Sequence, residues 1–177
     1  PSGGNDAHLT YIQEKVRTWV GRMINGHLPS HMAWVAYRHQ LCPVVRYGLG
    51  TMTNDLDVTD DLLHKEDYRM LNVLGVVRSV TKGLRRLHTT FGGFGLFSLP
   101  VEQLICRVNM LMQHFHTPTK LSKKLDASIR YLQLQLGTPH NPFLLDYETW
   151  GYLAPLSWVK MLWRTLHYFD IHLYIAY

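Results

Sequence analysis

Apolar residues recur at three- and four-residue intervals along most of the chain, the periodicity of helices that bury one face. From Asp6 to Asn25 the positions Leu9, Ile12, Val16, Trp19, Val20, Met23 and Ile24 follow it, with Asn5 or Asp6 as cap and Gly26 as a left-handed stop. Lys15, Arg17 and Arg22 fall on the solvent side of this first helix. Ser30, after Pro29, caps a second helix with Met32, Trp34, Val35 and Leu41. Pro43 must kink or end it, because proline lacks the N–H and its ring meets the carbonyl four residues back; Val44 to Leu49 continue beyond the kink. Thr59 caps a third helix carrying Leu62, Leu63, Met70, Leu71 and Leu74, closed by Gly75.

Residues 76–100 break the pattern: basic positions are followed by Phe91-Gly92-Gly93-Phe94-Gly95-Leu96-Phe97, read as a loop with extended segments. Ser98 then opens a helix whose stripe is Val101, Leu104, Ile105, Val108, Leu111, Met112 and Phe115, expected to be buried along its length. Thr117 or Thr119 caps the next, with Leu121, Leu125, Ile129, Leu132 and Leu136 inward and Gly137 and Pro139 as stops. An irregular piece through Asn141 and Pro142 leads to a last helix near Pro155 to Phe169, after which Ile171 to Tyr177 alternate as a strand does. The expectation is one all-α domain over 1–177. It divides into a hairpin remnant (1–6), N-terminal helices (7–75), a basic glycine-rich connection (76–100) and C-terminal helices (101–177), about six helices with a short C-terminal strand. Trp19, Trp34, Leu71, Val108, Leu111, Leu132 and Leu162 are the expected core.

Composition supports a folded domain: 46% of the 177 residues are hydrophobic and 18% charged, enough apolar surface to offset the entropy of ordering the chain. No apolar run approaches the roughly 20 residues that cross a bilayer, and the opening residues lack a signal-peptide pattern, so an intracellular protein without membrane contact is expected. The turn-like start without Met reads as part of a longer chain. Cys42 and Cys106 lie far apart with no partner at metal-ligand spacing, which disfavours a disulfide framework and a zinc module. The formal charge of +5 is unevenly placed. Nine basic residues (Arg69, Arg78, Lys82, Arg85, Arg86, Arg107, Lys120, Lys123 and Lys124) face one acid, Glu102, between Tyr68 and Leu125, a local balance of +8. A polyanionic partner follows.

Candidate chemistry is sparse. Asp60-Asp61 resembles a metal-binding aspartate pair, but its setting, Thr59-Asp60-Asp61-Leu62-Leu63, is that of an acidic first helical turn. His114 and His116 lack the third and fourth ligands a metal needs, and His27 and His31 straddle Pro29. Gly92-Gly93-Phe94-Gly95 lacks the Lys-Ser/Thr ending of a phosphate loop and reads as a tight turn. No nucleophile elbow occurs. No catalytic residue, cofactor or metal site is therefore assigned. The candidate nucleic-acid-binding residues are Arg78, Lys82, Arg85 and Arg86, which precede the glycine-rich turn, and Lys120, Lys123 and Lys124, which sit at a helix start where the dipole disfavours cations unless an anion compensates. The competing interpretation is an ordinary solvated face, and Phe91, Phe94 and Phe97 fit a core as readily as a base-stacking platform.

A set of motifs in order adds to this: Pro1-Ser2-Gly3-Gly4, Trp19, Gly26-His27-Leu28, Ala33-Trp34, Pro43 through Tyr47-Gly48, Leu74-Gly75, Gly92-Gly93-Phe94-Gly95-Leu96, Gln113-His114, Asn141-Pro142, and Ser157-Trp158 with Trp163. In their order and spacing the chain resembles, over nearly its whole length, the region after the polymerase palm in reverse transcriptase-like proteins of eukaryotic non-LTR retrotransposons. The resemblance implies a thumb-like helical bundle that holds template and primer, with RNA, an RNA/DNA hybrid and an upstream palm domain as partners. It also implies that the catalytic aspartates and their divalent metal belong to that palm, so the parent chain would be an RNA-directed DNA polymerase and this region would grip without catalysing. The rival reading is a helical protein-interaction module docking through Trp158, Trp163 and Tyr168; a self-sufficient enzyme ranks last.

Overall fold

A computed structural model describes residues 3–54, 59, 63–115 and 117–175, and these carry helices and no strand. The helices are α1 (Gly3–Gly26), α2 (Ser30–Ala36), α3 (Cys42–Arg46), α4 (His64–Val73), α5 (Lys82–Arg86), α6 (Leu99–Phe115), α7 (Lys120–Leu136), α8 (Tyr147–Trp150) and α9 (Trp158–Tyr168). The all-α class therefore holds, with more helical segments among the described residues than the six expected. Asp60-Asp61, His116, Pro1-Ser2 and the last two residues of the expected strand lie outside the described residues, as does the part of the third helix between Thr59 and Leu63. The chain forms two compact units, Pro1–Leu49 with Leu56–Glu102, and Gly50–Asp55 with Gln103–Tyr177.

In the first unit α1 buries Leu9, Ile12, Val16, Trp19 and Val20, as its periodicity requires, and packs on α4 and α3. It reaches back to Gly3, so Gly3 to Asp6 belong to the helix and not to a hairpin tail. The left-handed residue that ends it is His27 (φ 49°), whose ring Nδ1 lies 2.8 Å from the Asn25 carbonyl; Gly26 is an ordinary last helical residue. The buried Glu66 of α4 accepts from Arg69 at 2.9 Å and pairs with Arg17 of α1 at 3.6 Å. Gly75, with φ +70°, closes α4 as foreseen: the Val76 N–H bonds the Leu71 carbonyl and the Gly75 N–H the Asn72 carbonyl, satisfying carbonyls that the helix end leaves open.

The kink expected at Pro43 is a π-turn, Tyr37–Leu41, joining α2 directly to α3. A wider turn just before the proline absorbs the missing N–H and the crowding of the carbonyl behind it. The turn places Tyr37 in the core, 1% exposed, where its Oη accepts from the Phe97 N–H at 2.9 Å and its ring stacks on Phe97 at 5.5 Å. Trp34, half-buried, sends its Nε1–H to the Leu74 carbonyl at 3.1 Å. Burial pushes both the Tyr37 phenol and the neighbouring Cys42 thiol above their ordinary values of 10.0 and 9.0. Both groups stay protonated when folded, while the unfolded chain releases those protons earlier. Stability is therefore present in full below about pH 8, beneath both unfolded values, and falls as pH climbs through them toward the raised folded ones. Urea midpoints of the full chain are expected to decline between about pH 8 and pH 10.5, with a shallower decline in Tyr37→Phe; equal slopes would contradict the buried phenol.

The second unit is built on a hydrophobic cluster in which Leu104 and Leu111 of α6, Leu125, Ile129, Leu132 and Leu136 of α7, and Val159, Leu162, Trp163 and Leu166 of α9 meet around Phe143. Thr119 caps α7 by accepting the Ser122 N–H, Gly137 ends it at φ +66°, and Ser157 caps α9 through Lys160. Trp158 is half-buried rather than fully inward. After α9, residues 172–175 keep the alternation of a strand, since Leu173 and Ile175 pack on the cluster while His172 and Tyr174 are exposed, but Ile171 departs from it and faces out. The expected strand is nonetheless not formed among the described residues, because no neighbouring strand supplies a ladder; the Leu173 carbonyl is taken instead by the Asn141 side-chain amide at 2.8 Å.

The burial of α6 departs most from expectation. Its inward positions in this unit are Gln103, Leu104, Arg107 and Leu111, while Ile105 and Met112 of the apolar stripe are 46% and 60% exposed and Val108 is only partly buried. Val101, in the helix's first turn, is also exposed. Arg107 is wholly buried, with Nη2 donating to the Met52 carbonyl at 2.5 Å and Nη1 to Thr165 Oγ1 at 2.9 Å. Thr165 Oγ1 in turn donates to the Met161 carbonyl at 2.7 Å. Desolvation lowers the Arg107 pKa to about 10, which leaves the guanidinium charged at neutral pH. Together with Trp158, whose Nε1–H bonds the Gly50 carbonyl at 2.6 Å, it fastens the 50–52 segment into this unit.

Candidate nucleic-acid interface

The seven basic residues singled out from the sequence fall into two groups, one on each unit. In the first, Thr81 caps α5 by accepting the Leu84 N–H, and four backbone bonds then fold the glycine-rich stretch back on that helix: Gly93 to His88, Phe94 to Leu84, Gly95 to Leu87 and Leu96 to Arg85. The expected loop is thus a compact turn built on a short helix. Gly92 and Gly95 adopt positive φ of 80° and 67°, and Gly93 passes so close to Leu87 that an added Cβ would lie 2.0 Å from its carbonyl oxygen. Gly93→Ala must therefore open the turn, with an expected loss of at least about 2 kcal/mol in chemical denaturation; a variant as stable as the parent would rule out this close approach.

Within that frame the four residues separate. Arg78 is exposed, its Nε donating to Asn72 Oδ1 at 3.0 Å, and Lys82 is exposed at the start of α5. Arg85 turns inward, 9% exposed, with its guanidinium carbon 5.0 Å from the centre of the Tyr68 ring. Arg86 is half-buried, donating to Ser98 Oγ at 3.3 Å and lying 3.8 Å from the Asp67 carboxylate. Arg85 and Arg86 thus brace the turn, and the outward charge of this group is Arg78 and Lys82. Of the three phenylalanines, Phe91 is 74% exposed at the tip of the turn while Phe94 and Phe97 are half-buried, so core and outward roles are divided among them.

On the second unit, Lys120, Lys123 and Lys124 fall within the first five residues of α7, all exposed and without an ion pair among the described residues. The free N–H groups of a helix start carry partial positive charge, so three lysines there add like charge to like. The nearest acid along the helix, Asp126, is engaged by Arg130 at 2.9 Å. An incoming phosphate would relieve this repulsion and meet both the ammonium groups and the dipole.

The remaining basic residues show what charge counting misses. Arg107 contributed to the +8 window but is internal, and its place between Leu104 and Leu111 at helical spacing was the available signal. Arg46 pairs through two bonds, 2.6 and 2.9 Å, with the buried Glu102. Among the described residues no three His, Cys, Asp or Glu side chains group closely enough to hold a metal ion, and no helix is long and apolar enough to cross a membrane. Cys42 is a buried and Cys106 a half-buried thiol, and neither is in a disulfide among the described residues. Compared with known proteins, the chain matches no family model, no curated protein and no solved structure.

Proposed function

We propose that this chain is a nucleic-acid-gripping, thumb-like accessory region of an intracellular RNA-directed DNA polymerase, holding an RNA/DNA hybrid while the metal-dependent chemistry resides in an upstream palm. The observation that carries the reading is the exposed turn of Lys120, Lys123 and Lys124, three cations placed where the helix itself repels them. Arg78, Lys82 and the exposed Phe91 supply a second outward group on the first unit. Contacts of this kind read the charge and shape of a backbone and not base sequence.

The test is binding of the full chain to an RNA/DNA duplex across a salt series. Lys120→Ala, Lys123→Ala and Lys124→Ala together are expected to flatten the slope of log affinity against log salt by roughly 2 to 3, and Arg78→Ala with Lys82→Ala by roughly 1 to 2. Arg85 and Arg86 are left intact, because truncating them would disturb the turn as well as its charge. Binding whose salt slope ignores both sets of changes would remove the proposal. A second reading, docking on a protein, is favoured by the exposed Tyr152, Leu156, Tyr168 and Tyr174 of the second unit; of its expected anchors, Trp158 and Trp163 are engaged internally and Tyr168 faces out. Weak salt dependence together with capture of a protein partner lost in Tyr168→Ala would favour it.

A further inference from the structure

Within the first unit, α1 and the helix formed by α2, the π-turn and α3 enclose a cleft of about 360 Å³, inside the range of about 300–1,000 Å³ typical of small-ligand sites. Its floor is apolar: Trp19 and Leu41, 7% and 2% exposed, both line it. Its rim is not. Lys15 and Arg22 stand seven residues apart on α1, two turns on the same face, and both border the cleft. Both are exposed, and neither has a carboxylate partner among the described residues; the Lys15 ammonium has only the Tyr11 ring, 5.2 Å away. Glu14 and Gln40 complete the rim, supplying acceptors and an amide donor. Trp19 also keeps its indole N–H buried with no acceptor among the described residues.

The rim sets two cations against one carboxylate, Glu14, and an anion with several oxygens, such as a phosphate monoester, can meet both cations at once as a single carboxylate cannot. The apolar floor takes an uncharged body, and Glu14 and Gln40 suit hydroxyl groups upon it. We infer that this cleft binds a sugar-phosphate unit of nucleotide size, with the phosphate between Lys15 and Arg22 and the sugar toward Glu14 and Gln40. The unit can be a free nucleotide or the phosphorylated end of a strand. The inference uses none of the lysines of α7 and stands apart from the hybrid-binding proposal.

The experiment is NMR titration of the full chain with UMP, uridine and inorganic phosphate, and then with a short single strand with and without a 5′-phosphate. UMP is expected to shift resonances of the cleft residues saturably, with an affinity at least about tenfold above that of uridine. Lys15→Gln with Arg22→Gln, both exposed and with an unchanged thermal melt as control, is expected to lower UMP affinity about tenfold. The triple lysine change on α7 should leave it unaltered. Binding of the phosphorylated strand alongside UMP identifies a strand end as ligand, and binding of UMP alone identifies the free nucleotide. Uridine binding as tightly as UMP, indifference to the double change, or UMP shifts absent from the cleft would each overturn the inference.

Discussion

Arg107→Ala is expected to destabilise the protein by about 3 to 5 kcal/mol in urea denaturation of the full chain, the range for truncating a large buried side chain whose hydrogen-bond acceptors are left without their donor. Truncation takes from the Met52 carbonyl its closest donor and leaves a cavity lined by the α6 and α9 side chains. The guanidinium also carries a desolvation cost, visible in its lowered pKa, and loss of that cost works in the opposite direction. Arg107→Met separates the two effects, since it fills most of the space and removes the charge. Thr165 keeps its bond to the Met161 carbonyl, so only the Met52 carbonyl is left with the long 3.5 Å contact from Gln103. Its expected cost is about 1 to 2 kcal/mol. The order parent, methionine, alanine is the result to look for; an alanine variant within about 0.5 kcal/mol of the parent would mean that Arg107 is not an internal tie.

Trp163→Ala should cost a similar amount, about 3 to 5 kcal/mol, for a different reason. Trp163 is 1% exposed in the cluster of the second unit, packs edge-on to Tyr147 at 5.0 Å, and donates its Nε1–H to the Leu145 carbonyl at 2.9 Å. Trp163→Phe retains most of the ring contact and loses the hydrogen bond, so about 1 to 2 kcal/mol is expected. Equal losses in the two variants would place the weight on the hydrogen bond and not on packing.

These two residues also mark where the sequence could and could not be read. Trp163 lies in a clean apolar stripe of α9, and α7, with Leu125, Ile129, Leu132 and Leu136 inward, obeys the same rule between a Thr119 cap and a Gly137 stop. There periodicity and capping chemistry agree, and the structure follows both. In α6 the apolar pattern points to Val101, Ile105 and Met112, whereas the helix buries a face that includes Gln103 and Arg107. Hydrophobic period alone cannot register that a distant carbonyl, Met52, needs a donor. The candidate site was legible to the same degree. The α7 lysines are solvated as their local context implies, but Arg85 and Arg86 are drawn inward by Tyr68, Ser98 and Asp67, partners whose proximity depends on tertiary folding. Short helices such as α8 offer too few residues to show a period at all.

The π-turn carries a consequence for how this helix can vary in evolution. Its buried residues Ala33, Tyr37, Leu41 and Val45 repeat every four positions and are each at most 2% exposed. On a regular helix of 3.6 residues per turn such a series would creep about 40° around the axis at each step and leave the core within a few turns. A turn holding one surplus residue resets the creep, which is how a strict four-residue spacing stays on one side. An ancestral or divergent sequence with an uninterrupted α-helix here would therefore be one residue shorter between positions 37 and 41, with one apolar interval of three in place of four. An uninterrupted helix would also meet the proline at position 43 without the wider turn, at a cost of about 3 kcal/mol, so the deletion should favour replacement of that proline as well.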